Sequence, residues 1–439
     1  VGGSADKGTV KKRVLSGMRP TGKLHLGHYF GALSNWVKLQ EEYDCFFFVA
    51  DWHALTTHYE DTSSIAENTL QVAMDWLSVG LDPKKSTLFI QSSVLEHTEL
   101  HLLLSMITPL SWLERVPTYK EQIENLKDRD LGTYGFLGYP LLQSADIVMY
   151  GERGQELLVP VGEDQVPHVE LTREVVRKFN TNFGLQINDT LRERDRHTVL
   201  TRIAGILKDP DLNLQVSEYP ISNEVWARYK TALGKRIFAI GYANAAHLLH
   251  ETNLGLHDDD LQLIPVLQEP GHLLTETPRL PGLDGRRMAK SYGNAIWLSD
   301  PPDEIRTKVR NMMTDPQRVR RTDPGRPEIC PVFAWHKLFS PPETVATVDR
   351  DCRTAAIGCV DCKKQMADNL IRWIEPVQAE RRKWEANPQG VWDILDSGSN
   401  DARAAAERTM KRVRNAIFQS DAARSRSGVP VEAAAPKSK

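Results

Sequence analysis

The sequence predicts an α/β protein, a doubly wound parallel-sheet (Rossmann-like) domain with a C-terminal α-helical domain. Three observations carry this. Cys45-Phe46-Phe47-Phe48-Val49-Ala50 is a continuous apolar run, the pattern of a parallel strand covered on both faces. The stretch from Ser16 to Gly31, SGMRPTGKLHLGHYFG, follows the apolar pair Val14-Leu15 and precedes Phe30, Leu33 and Val37 at helical spacing, giving strand, glycine-rich turn, helix. Beyond Asp315 the pattern is helical to about Phe418.

The elements follow in order. Asp51-Trp52-His53 ends the Cys45–Ala50 strand, at the carboxyl edge where an open α/β sheet carries function. Leu70, Ala73 and Leu77 mark an amphipathic helix closed by Gly80, and Thr87–Ile90 is the next strand. His97 to Leu126 reads as mainly helical. Gly138-Tyr139-Pro140 predicts a second turn-to-helix transition, with Pro140 at a first helical position. Leu157-Leu158-Val159 is a fourth strand, leading into Val161-Gly162-Glu163-Asp164-Gln165. From about 180 to 271 the character changes. The charge cluster at Arg192–Arg196 is a solvated face, Trp226–Tyr229 and Ile237–Leu249 suggest helices, and no chemical motif stands out. Residues 278–297 form a Gly/Pro-rich loop with Arg286, Arg287 and Lys290; Ser299-Asp300-Pro301-Pro302 then caps a helix to about Met313.

The division expected is a disordered 1–12, a Rossmann-like first part at 13–180, a helical insertion of unknown role at 181–271, and a second Rossmann-like part at 272–314. A helical domain at 315–418 and a disordered tail at 419–439 complete it. Of 439 residues, 41% are hydrophobic, and no run approaches the ~20 apolar residues of a membrane helix. VGGSADKGTV has no apolar export signal and no initiator Met, as a processed end would, so a cytoplasmic protein is expected. Net charge is −3, from 55 basic and 58 acidic residues, which neither advertises nor excludes a nucleic-acid partner.

The Ser16–Gly31 turn has a chemistry of its own. Its glycines let backbone N–H groups approach a polyanion, and His25 and His28 can donate to phosphate at the helix start. Taken alone, the glycines would serve as turn punctuation and the histidines as surface residues. However, His25-Leu26-Gly27-His28 matches the His-x-Gly-His signature of class I aminoacyl-tRNA synthetases. About 260 residues later, Arg287-Met288-Ala289-Lys290-Ser291 resembles that class's Lys-Met-Ser-Lys-Ser signature. YPLLQSADI (Tyr139–Ile147), VGEDQVPHVELTRE (Val161–Glu174) and RLPGLDGRRMAKSYGN are similar to the bacterial tryptophanyl-tRNA synthetase family in particular.

The resemblance implies attack of the tryptophan carboxylate on the α-phosphate of ATP, held as its Mg2+ complex, with pyrophosphate leaving. The tryptophanyl group then passes to the 2′-hydroxyl of the terminal adenosine of tRNA(Trp). It implies that His25, Gly27 and His28 bind ATP, that Arg19, Pro20 and Thr21 form the preceding ATP-contacting turn, and that Gly162, Glu163 and Asp164 border ATP. Leu280 would touch the adenine. Arg287, Met288, Ala289, Lys290 and Ser291 would form the pyrophosphate loop, with His25, His28, Arg287 and Lys290 as the catalytic set. Asp146 falls where the family accepts the indole N–H; otherwise it would be a helix residue facing solvent, but its apolar neighbours favour a buried acid. Tyr139 and Gln165 would hold the α-amino group, and His53 and Gln143 would line the pocket. Arg287 for Lys, Ala289 for Ser, and Arg19 where relatives carry Gln are departures. The family also implies a homodimer.

Cys330, Cys352, Cys359 and Cys362 form C-x21-C-x6-C-x2-C, a donor set for zinc or an iron–sulfur cluster, with scattered buried cysteines as the other reading. Some bacterial tryptophanyl-tRNA synthetases hold a [4Fe–4S] cluster on a very similar set, so the resemblance favours iron–sulfur, with zinc as the alternative. Cys45 is core. Two other functions compete: a tyrosine-specific sister enzyme, and a catalytically weakened paralogue that binds RNA or a partner.

Overall fold

The computed structural model describes residues 11–117, 119, 132–193, 196–209, 211–212, 219–251, 261–274 and 280–418. The sequence readings for 1–10, 419–439, Arg194-Asp195 and the end of the His97–Leu126 helix lie outside these residues. The chain opens with β1 (Arg13–Met18), a short α1 (Leu26–His28), a π turn at Tyr29–Leu33, α2 (Ser34–Glu42) and β2 (Asp44–Val49). It continues with α3 (Asp51–His58), α4 (Ile65–Ser78), β3 (Ser86–Ile90), α5 (Glu96–Ser105), α6 (Leu110–Glu114) and α7 (Tyr134–Met149). Next come β4 (Leu157–Val161), α8 (Val166–Phe183), β5 (Leu185–Ile187), α9 (His197–Ile206), α10 (Asn223–Ile240) and α11 (Tyr242–Glu251). It ends with β6 (Leu261–Leu263), β7 (Gly271–Leu274), α12 (Pro302–Arg310), α13 (Pro331–Phe339), α14 (Pro342–Arg353), α15 (Cys359–Glu385) and α16 (Pro388–Phe418).

The strand order is β3-β2-β1-β4-β7, the parallel doubly wound plan, and β5 and β6 form a separate antiparallel pair. The chain divides into two compact units. The first comprises Val1–Leu15, Val94–Leu273 and Ala402–Lys439. In it β1 and β4 run parallel with Arg13 opposite Leu157 and Val14 opposite Leu158. Its helices α9, α10 and α11 enclose a core of Leu200, Ile203, Trp226, Tyr229, Leu233 and Ile237. The second unit comprises Ser16–Ser93 and Leu274–Asp401. There β2 and β3 run parallel from Cys45/Ser86 to Val49/Ile90, and Trp36 stacks on Phe47 at 4.4 Å between ring centres. Ser399 of α16 accepts the Ile90 N–H at 3.3 Å, so the helix covers the strand that would otherwise be an open edge. Among the described residues no helix is long and apolar enough to cross a membrane.

Three local expectations are corrected. The helix expected to begin at Pro140 begins at Tyr134, where Thr133 caps it by accepting the Phe136 N–H, and Pro140 lies inside it. Burial of Phe136, Tyr139 and Leu141 on the same helix outweighs the hydrogen bond that proline cannot make. The buried face after the glycine-rich turn is Leu33, Trp36 and Leu39 rather than Phe30, Leu33 and Val37, because the π turn adds a residue and rotates the stripe. Asp300 does not cap α12; it accepts the Trp297 N–H and pairs with Lys308 at 2.6 Å, while Pro301 occupies the cap and α12 stops at Arg310.

Candidate active site

The second unit carries both signature stretches. Gly17, at the carboxyl end of β1, lies against the Phe48 ring, where a Cβ would collide with it. The turn beyond it uses Gly22 at φ +95°, a conformation open to glycine. His25 pairs with Trp297 in an isolated antiparallel bridge, and the flanking hydrogen bonds Leu26 N to Ile296 O and Leu298 N to Leu24 O are each 2.9 Å. Those bonds fix the chain entering the helix. His28 N donates back to His25 O at 2.8 Å, and His25 N donates to His28 Nδ1 at 3.2 Å. The two imidazoles lie with centres 3.7 Å apart and their planes tilted by 32°.

Burial, reinforced by Lys290, lowers His25 to about 4; burial, then His25, Lys290 and Arg287, lowers His28 to about 3. Both rings are neutral at pH 7. His25 Nδ1 is buried and meets no hydrogen-bond partner among the described residues. A buried polar atom left unmatched in this way suits a ligand that completes it.

The Gly/Pro-rich loop closes on this turn. Gly27 N donates to Met288 Sδ at 3.3 Å, and a Cβ on Gly27 would lie 2.9 Å from the His25 ring. Lys290 Nζ donates to Thr21 O at 2.6 Å and sits 5.2 Å from the centre of the Trp297 ring. Burial lowers Lys290 to about 8, against the pull of Asp75, so it is mainly charged at pH 7. Asn294, which the sequence reading did not single out, organises the loop. It accepts the Ala289 N–H at 2.9 Å and donates to Asp284 at 2.7 Å and to Arg287 O at 3.0 Å. Arg287 and Ser291 are exposed, Met288 and Leu280 are buried, and Pro20 is buried beside a half-buried Arg19. His53, on α3, is also buried in this unit.

Behind the turn, Asp75 accepts the Leu24 N–H at 2.7 Å and pairs with Arg381 of α15, both side chains being almost fully buried. Burial raises Asp75 to about 6 and Arg381 opposes it, so the carboxylate is ionised at pH 7. Asp75, an acid between Met74 and Trp76 on the apolar half of α4, was the signal available for it.

The first unit carries the remaining residues predicted for tryptophan and ATP. Tyr139, Gln143 and Asp146 recur on one face of α7; Tyr139 and Asp146 are buried and Gln143 is half-buried. Asp146 is the buried acid expected, and its Oδ1 meets His97 Nδ1 at 2.6 Å, while His97 Nε2 meets Tyr150 Oη at 2.7 Å. Burial, then Asp146, raises Tyr150 well above 10, so it stays a neutral phenol. His97 and Tyr150 were not among the predicted site residues, and nothing local in the sequence marks them. Gly162 caps the one-turn helix Glu163–Gln165, and Gln165 caps α8. The side chain of Asp164 lies outside the described residues.

Among the described residues no group of three or more His, Cys, Asp or Glu is placed to hold a metal ion. Cys352 Sγ faces Arg318 at 3.6 Å and Cys362 Sγ faces His336 at 3.5 Å. The expected four-cysteine site therefore has no ligand geometry here. Burial, followed by Cys330, Cys352 and Cys359, raises the Cys362 thiol to about 12, away from the thiolate that a metal ligand supplies.

The family described as "tRNA synthetases class I (W and Y)" matches residues 7–206 and 242–375. The chain is 47% identical over 415 residues to the tryptophan–tRNA ligase of Ralstonia nicotianae, covering 92% of this chain and 98% of that one. It is 43% identical to the tryptophan–tRNA ligase of Thermotoga maritima, again over 92% of this chain and 98% of the relative. Among solved structures it is similar to tryptophanyl-tRNA synthetase from Campylobacter jejuni complexed with ADP and tryptophan, with a TM-score of 0.68 and 25% identity over 92% of this chain and 99% of that one. With these likenesses spanning nearly its whole length, the chain belongs to the class I tRNA synthetases of the tryptophan and tyrosine type.

Proposed function

We propose that this protein is a tryptophan–tRNA ligase. The observation that carries the reading is the packing of the two signature stretches in the second unit: Met288 on the Gly27 N–H, and Lys290 on Thr21. The choice of tryptophan over tyrosine is supported by the curated relatives at 47% and 43% identity. It is also supported by Asp146, a buried acceptor for a donor-only indole N–H.

In this reading a tryptophan carboxylate oxygen bonds to the α-phosphorus of Mg2+-bound ATP, and the bond to the β-phosphate oxygen breaks to release pyrophosphate. The terminal 2′-hydroxyl of tRNA(Trp) then attacks the tryptophanyl carbonyl and AMP leaves. His25 and His28, neutral, donate hydrogen bonds to phosphate oxygens, and Lys290 with Arg287 offsets the charge gathering on the departing pyrophosphate. Arg19, Pro20, Thr21, Gly27, Gly162, Glu163, Asp164, Leu280, Met288, Ala289 and Ser291 complete the ATP contacts. Tyr139, Gln143, Gln165 and His53 surround the amino acid with Asp146.

The proposal keeps 13–180 and 272–314 as the catalytic domain, 181–271 as a helical insertion and 315–418 as the anticodon-reading domain. It places the enzyme in the cytoplasm as a homodimer. It includes a structural [4Fe–4S] cluster on Cys330, Cys352, Cys359 and Cys362, supported by the spacing of the four cysteines in the sequence. Iron and acid-labile sulfide in stoichiometric amount are expected in purified protein; zinc in their place, or no metal in folded protein, contradicts that part.

Charging of tRNA tests the main reading. Labelled tryptophan should pass to tRNA(Trp), with Asp146→Ala cutting the rate at least a hundredfold. Charging with tyrosine would move the chain to the sister enzyme. Tight tRNA binding without charging would favour the weakened paralogue.

A further inference from the structure

A groove of about 1190 Å³ lies wholly within the first unit, bounded by α8, β5, α10, Trp112 and the end of α16. Among the described residues three lysines, Lys178, Lys230 and Lys235, line it and no Asp or Glu does, in a chain whose net charge is negative. Trp112 and Phe238 stand nearly parallel, 11° apart with centres separated by 6.0 Å, and Lys178 Nζ lies 5.3 Å from the Trp112 ring centre. Lys230 is partly offset by Asp189, 3.6 Å away; Lys230 and Lys235 are both exposed. One wall, α10, falls in residues 207–241, outside the ranges that match the family. Its buried face, with Trp226, Tyr229, Leu233 and Ile237, fills the core of this unit, which leaves Lys230 and Lys235 on the solvent side.

A lining in which cations outnumber the one acid beside them fits a polyanion, and aromatic faces fit unsaturated rings; together they suit a nucleic-acid strand. We propose that this groove binds a segment of the tRNA substrate. In it Lys178, Lys230 and Lys235 lie along the phosphates and the Trp112–Phe238 pair offers a face for a base. The inference rests on the ligase reading for the identity of the RNA. The helix outside the family ranges thereby adds grip on tRNA, separate from amino-acid activation.

The test uses the full chain carrying Lys230→Gln with Lys235→Gln, and a second variant with both changed to arginine. Binding of tRNA(Trp) is measured from 50 to 200 mM salt, alongside tryptophan-dependent ATP–pyrophosphate exchange, which needs no tRNA. The glutamine pair should weaken tRNA binding about tenfold and reduce the slope of log affinity against log salt by about 1.5. Exchange should be unchanged, and the arginine pair should restore the binding. Phe238→Leu should weaken tRNA binding with the salt slope unchanged. Unaltered affinity and slope in the glutamine pair overturn the proposal and leave the groove to a polypeptide. Loss of exchange in the unmodified protein would instead count against the ligase reading, because the tRNA-binding arm is read without it.

Discussion

Gly27 and Lys290 show how single atoms set this site. A Cβ on Gly27 would lie 2.9 Å from the His25 ring and 3.4 Å from Met288 Cβ, so alanine must displace the imidazole or the loop. Gly27→Ala is expected to cut kcat/KM for ATP about 100-fold, the scale of a 1 Å misplacement, with tryptophan affinity unchanged by calorimetry. An unaltered ATP parameter would remove the helix start from the site. Lys290 titrates near 8 because burial disfavours its charge. The cation is present below that pH and lost above it, so kcat/KM for ATP should fall about tenfold per unit above pH 8, a limb that Lys290→Arg removes. The stability contribution runs the other way. Between about 8 and 10.5 the unfolded chain holds the extra proton, so this group adds stability as pH rises. His25 and His28 follow the same rule lower down, losing stability as pH falls from 6.5 toward about 4 and 3. Activity and stability moving together above pH 8 would refute this assignment.

At the scale of elements, the buried Asp75–Arg381 pair joins α4 to α15 and holds the Leu24 N–H one residue before His25. Arg381→Met should leave the Asp75 carboxyl buried without its cation, pushed further toward the protonated form, and cost about 3–5 kcal/mol in denaturant unfolding. The double change with Asp75→Asn should recover most of that. A single-variant cost below about 1 kcal/mol would show the pair to be dispensable. Because Asp75 also positions the turn, Arg381→Met should raise KM for ATP more than KM for tryptophan. The same scale shows where sequence reading failed. Pro140 reads as a helix start because proline suits a first turn, yet Thr133 caps the helix earlier and apolar burial carries it through. The π turn after His28 shifts the buried stripe by one residue, and no local residue preference announces such a turn.

Across the whole molecule, what was legible follows from how far apart the determinants lie in the chain. The apolar strand at Cys45–Ala50 and the capped end at Gly80 are local, and both stand where they were expected. The two signatures were legible as motifs, but the contacts Met288–Gly27 and Lys290–Thr21 are long-range and needed the fold. His97 on Asp146, Arg381 on Asp75 and Asn294 beneath the loop are polar partners set by tertiary packing, and an isolated histidine, arginine or asparagine in sequence points nowhere.

Amino-acid-dependent ATP–pyrophosphate exchange, run with tryptophan, tyrosine and phenylalanine and with Lys290→Ala and Asp146→Ala as controls, decides whether the chain activates tryptophan as proposed. Exchange is expected with tryptophan alone, lost by at least a hundredfold in both variants while their folds persist. Exchange with tyrosine, or full tryptophan exchange without Lys290 and Asp146, would contradict it.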